Sequence, residues 1–287
     1  MPSLIRNYAE FEFGLLGLAL VLGVILICGA MGWPGEINTC YKNPGNCYCE
    51  IINQKDPGSS RILRDPGMFA QPVNTWSNVG FMAAGLLMLW WIGWERTTGR
   101  RSPHHNRITD GTLFATLYGG FTVFLGPGSM FFHASMRLWA GWFDVMSMNF
   151  FLAFVPAYNA VRRFDWPQWA GVLIYSVIVV AEGFADWFDP DHSLIYFAVL
   201  GVIAIASQIL VAVSSSIQTA TSGKVWFWAG VGVFGLAFLI WYLSWTNGPL
   251  CDPSSPLQGH GAWHLLSAAA VGCLYMYFRA EEGTQTT

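Results

Sequence analysis

Leu194-Ile-Tyr-Phe-Ala-Val-Leu-Gly-Val-Ile-Ala-Ile-Ala-Ser-Gln-Ile-Leu-Val-Ala-Val213 is twenty residues long and contains no charged side chain. A helix of about 20 mostly apolar residues matches the hydrocarbon thickness of a bilayer. The stretch therefore reads as a membrane-spanning helix. Seven further segments have the same character: 13–31, 73–94, 111–132, 138–161, 169–184, 225–245 and 261–278. The first has the place of a signal peptide, but its apolar run exceeds a usual h-region and no Ala-x-Ala site follows it. It is kept as a helix. Of the 287 residues 54% are hydrophobic and 11% charged, against about 25% charged in a soluble domain. The 15 Trp and 21 Phe suit a lipid-facing surface with aromatic anchors. A net charge of -3 and the lack of any Lys/Arg run exclude nucleic acid as a partner. The expected fold is an all-α integral membrane bundle.

Lys and Arg counts orient it. Nine (Arg6, Arg96, Arg100, Arg101, Arg107, Arg162, Arg163, Lys224 and Arg279) fall on the N-terminal side. The other five are Lys42, Lys55, Arg61, Arg64 and Arg137, and four of those lie in one long loop. Short loops carry the positive-inside signal, so both termini are expected in the cytoplasm.

On that topology the outer loop around 33–72 carries Cys40, Cys47 and Cys49, and Cys251 precedes the last helix on the same side. Extracytoplasmic cysteines can pair, and four allow three pairings. The pairing expected here is Cys40–Cys47 with Cys49–Cys251, tying the loop to the last helix. Cys28 and Cys273 lie within helices and read as small apolar fillers.

Polar groups at membrane depth are costly and mark function. Gly126-Pro-Gly-Ser-Met-Phe-Phe-His133 places Ser129 and His133 four apart, on one helix face. Gly259-His-Gly-Ala-Trp-His264 repeats that spacing with His260 and His264. With Asp144, these residues come from three helix ends that the topology brings to one membrane face. Three histidines with a carboxylate have the composition of an open zinc site. Zinc lowers the pKa of water to about 7. Asp144 then suits proton transfer, or support of a ligating imidazole. Ser129 suits donation to a developing oxyanion, or back-bonding near Pro127. His104 and His105 read as solvated, His192 as a loop residue, and Glu182 as marking the membrane boundary. Asn74, Thr75, Ser77 and Asn78 read as capping groups or as hydrogen-bonding partners across helices.

Ser129-x-x-x-His133, Asp144 eleven residues on, His260-x-x-x-His264 before Leu-Leu-Ser267, and Pro72-Val-Asn-Thr-Trp-Ser-Asn78 together resemble the alkaline ceramidase family. That family belongs to a superfamily of seven-helix membrane hydrolases shared with adiponectin-type receptors. The resemblance covers roughly 48–278 and leaves one additional helix in front. It implies the following plan: 1–32 additional helix, 33–72 Cys-containing loop, 73–279 seven-helix hydrolase core, and 280–287 polar tail. It further implies His133, His260 and His264 as Zn²⁺ ligands, Asp144 as acid/base, Ser129 assisting, and a membrane lipid, ceramide or another N-acyl lipid, as substrate. Calcium is not expected. Of the acidic cluster in calcium-responsive relatives only Glu50 is retained, in Cys47-Tyr-Cys-Glu50, and Gln71 stands where another Glu would be. A receptor of the same superfamily and a hydrolase of another amide- or ester-linked lipid are the competing expectations.

Overall fold

The computed structural model describes residues 8–38, 48–50, 68–100, 102–213 and 218–282. Cys40 and Cys47 lie outside the described residues. The helices are α1 (Ala9–Met31), α2 (Pro72–Ser77), α3 (Val79–Thr98), α4 (Leu113–Ser135), α5 (Leu138–Phe164), α6 (Gln168–Phe188), α7 (Ser193–Ala212), α8 (Thr221–Leu243) and α9 (Gly259–Arg279). Among the described residues, with α2 and α3 taken as one, seven are long and apolar enough to cross a membrane. The eighth long helix is α4, whose sequence carries Gly, Thr, Ser and Pro. Of its 23 residues 16 are buried, so it meets protein rather than lipid.

The all-α membrane bundle is thus as expected, with shifted ends. The second span is broken at Asn78, where the side-chain amide donates to the Asn74 carbonyl at 2.9 Å. Helix α4 runs two residues past His133. Helix α6, expected to be the shortest and to end at 184, continues to Phe188. It thereby takes in Asp186, beyond the end expected at 184.

Helix α4 packs against α1, α2, α3 and α5, and α9 lies along α3 and α8. Helices α6 and α7 pack mainly on α5, and α8 mainly on α9. Glycine permits a close crossing. A Cβ on Gly85 of α3 would stand 2.5 Å from the Val123 nitrogen and 2.6 Å from the Gly119 carbonyl oxygen of α4. Small residues at such crossings bring backbones into van der Waals contact, the main attraction between helices in lipid. Helix α1 buries only Ile25. Its apolar residues run all round, as a largely lipid-exposed helix requires. It docks on α3 through Glu10, whose carboxylate accepts from Arg96 at 2.6 and 2.7 Å.

The end of the bundle away from the α4–α5 turn is closed by polar ties. Arg279 pairs with Glu95 and Arg162 with Glu281. A short ladder joins β1 (Gln218–Thr219) to β2 (Glu281–Glu282).

Gly85→Ala forces α3 from α4, because the obstacle is backbone rather than a movable side chain. It is expected to destabilise the protein by about 1–3 kcal/mol, read as a lowered thermal midpoint in detergent.

Candidate metal centre

Backbone pairing sets the first ligand in place. Gln71 N–H donates to the His133 carbonyl and Ala70 N–H to the Ala134 carbonyl, each at 2.9 Å. The segment before α2 is thereby laid along the end of α4. Gln71 Nε2 donates to the Glu50 carbonyl at 3.1 Å, which turns Oε1 toward His133 Nδ1 at 2.8 Å. An amide oxygen only accepts, so His133 carries its proton on Nδ1 and leaves Nε2 as a lone pair.

The same logic fixes His264. The Ser77 hydroxyl donates to the Asn74 carbonyl at 3.0 Å and lies 2.8 Å from His264 Nδ1. With its one proton used, Ser77 accepts from Nδ1–H, again freeing Nε2. His260 completes the group. Its Nε2 is 3.0 Å from His133 Nε2, while its buried Nδ1 has no partner among the described residues.

All three imidazoles are buried, at 0%, 7% and 3% exposure for His133, His260 and His264. One ligand nitrogen from each lies within 4.8 Å of the others. Among the described residues no carboxylate forms an ion pair with the three rings, and as cations each would repel the next. Converging lone pairs of neutral imidazoles are instead what a cation requires. The orphaned His260 nitrogen and the two fixed tautomers fit a bound metal ion. The three histidines can hold one.

Ser129 lies one turn before His133 on α4, and its side chain is within hydrogen-bonding reach of the partly accessible Asp144 carboxylate on α5. A Cβ on Gly128 would sit 2.4 Å from that of Ser147. Glycine here lets α5 approach closely enough for the Ser129–Asp144 pair to form. Ser147 itself donates to the Asp144 carbonyl at 2.8 Å.

Tyr48 roofs the group, with ring centroids 4.1 Å from His260 and 4.9 Å from His133. Burial, then the Asp144 carboxylate, pushes the phenol above its ordinary value. Tyr48 is thus a neutral hydroxyl beside the imidazoles. The next residue, Cys49, forms a disulfide with Cys251, ahead of α9. Glu50 follows, accepting from the backbone N–H of Val73 at 2.7 Å and of Asn74 at 2.8 Å. It caps α2 from outside the helix. Burial raises the Glu50 carboxyl, while those two N–H donors pull it back.

The structure therefore brings together His133, His260 and His264, with Ser129 and Asp144 beside them. His104 pairs with Glu282, His105 with Asp110 and His192 with Asp189, all away from the group. Two contributors escaped the sequence reading. Gln71 was read only as a lost acid, although its place directly before the α2 start was a usable signal. Tyr48 has no local signal beyond its position between two cysteines.

The sequence profile of the family described as Ceramidase matches residues 67–286. A comparison with curated protein sequences returns no match.

Gln71→Leu removes the acceptor that fixes His133. It is expected to weaken metal binding by about 10–100-fold, measured by competition with a chelator. Gln71→Glu, which still accepts from Nδ1–H, retains most of the affinity.

Proposed function

Since the chain belongs to the ceramidase family, we propose that it is a zinc-dependent hydrolase of a membrane lipid amide, with ceramide the leading substrate. The observation that carries this reading is the triad of buried imidazoles whose donor nitrogens lie within 4.8 Å of one another. Beside it is a carboxylate that, among the described residues, belongs to neither a salt bridge nor a helix cap. His133, His260 and His264 would hold the ion, and nitrogen-rich donors suit zinc rather than calcium or magnesium. When bound, zinc supplies a Lewis acid that polarises a carbonyl and makes water a better nucleophile at neutral pH.

The remaining steps fall to this chain's own residues. Asp144 accepts a proton as water oxygen bonds to the acyl carbon, then returns it to the nitrogen as the C–N bond breaks. A fatty acid and a free amine result. The Ser129 hydroxyl donates to the Asp144 carboxylate and holds it in position; once Asp144 has taken the proton, Ser129 accepts from it and turns its own O–H to the carbonyl oxygen as negative charge develops there. Tyr48 shields the imidazoles from bulk water. Among the described residues α7 and α8 do not pack along each other, which supports entry of lipid chains from the side.

We place both termini in the cytoplasm and the site near the extracytoplasmic face. The Cys49–Cys251 disulfide at the histidine end supports this side, because disulfides persist in oxidising compartments.

A panel of N-acyl lipids assayed with purified protein tests the reading. Asp144→Asn should keep its metal and lose about 10²–10⁴-fold in turnover. Full activity in that variant would remove Asp144 from the mechanism. Bound zinc with no turnover of any lipid would remove the hydrolase.

A further inference from the structure

A second set of buried oxygens lies between α5 and α6, away from the histidines. Asn149 of α5 is wholly buried, and its Nδ2 donates to Asp186 Oδ2 of α6 at 3.2 Å. Asp186 is only 2% exposed, and Glu182 stands one helical turn before it on the same face. Three atoms here are buried without any hydrogen-bond partner among the described residues: Asn149 Oδ1, Asp186 Oδ1 and Glu182 Oε2. All three are acceptors. Among the described residues no Lys or Arg forms an ion pair with either carboxylate.

The placement is not a by-product of the membrane boundary. Helix α6 exposes most of its surface, including Phe184, Trp187 and Phe188, yet turns both acids inward onto α5. There Trp142 Nε1 donates to the Gly183 carbonyl at 3.4 Å. Two carboxylates and an amide oxygen form a hard oxygen set with two negative charges. Unsatisfied acceptors at this depth are costly, and a bound cation offers them a partner.

We propose that Glu182, Asp186 and Asn149 form a site for a calcium-sized divalent cation that ties α6 to α5. Calcium accepts irregular sets of six to eight oxygens, whereas magnesium demands near-octahedral geometry and retains its waters. Zinc favours the nitrogen donors of the histidine group instead. The site is independent of the proposed hydrolysis.

The probe is Tb³⁺, a calcium surrogate, titrated into the full-length protein in detergent with zinc present to occupy the imidazoles. Trp142 serves as the sensitiser. Saturable emission is expected, displaced by Ca²⁺, with affinity lowered about tenfold or more in Glu182→Gln and in Asp186→Asn as ligand charge is removed. His264→Ala should leave it unchanged. Glu182 is partly accessible, so its variant keeps the test valid if Asp186→Asn fails to fold. Absence of saturable emission overturns the proposal, as does emission that neither acidic variant alters. Loss in His264→Ala alone assigns the ion to the histidines and overturns it equally.

Discussion

A buried imidazole has two nitrogens to satisfy, and in an apolar bundle only protein or a bound ion can do it. That constraint organises one end of this molecule. Gln71 and Ser77 each take one nitrogen of a histidine, and each is held by its own backbone partner. What remains is a set of lone pairs pointing inward from α4 and α9. The closed end of the bundle serves the opposite purpose. There Arg279 and Arg162 meet Glu95 and Glu281, so each buried charge has its counter-charge and none is left to do chemistry.

The segment Tyr48–Glu50 joins three requirements in three consecutive residues. Tyr48 covers the imidazoles, Cys49 crosses to Cys251, and Glu50 caps α2. The two positions compared with calcium-responsive relatives have other work here. Glu50 serves backbone N–H groups and Gln71 serves His133.

The spanning helices were legible because twenty uncharged residues in a row have few alternatives. The three histidines, Ser129 and Asp144 were legible because polar groups stand out against such runs. Helix ends were less so. Nothing local predicts that α6 continues to Phe188, since Asp186 looks like an exit signal until Asn149 is seen opposite it. Gln71 and Tyr48 were invisible for a related reason. Their roles depend on a backbone pairing and a disulfide that join residues distant in sequence. The glycines and serine of α4 serve helix contact rather than lipid contact, and α1, α2, α3 and α5 all pack on it. The family profile begins at residue 67, so α1 lies outside it; we regard α1 as an addition to a seven-helix core.

The central claim is that His133, His260 and His264 jointly hold one catalytic zinc ion. Elemental analysis of the purified full-length protein beside His264→Ala addresses it most directly. The account predicts about one zinc per chain in the wild type, as one closed set of three ligands implies, and a folded variant that has lost it. Wild-type protein purified without any bound transition metal, and unable to take up zinc when it is supplied, would contradict it.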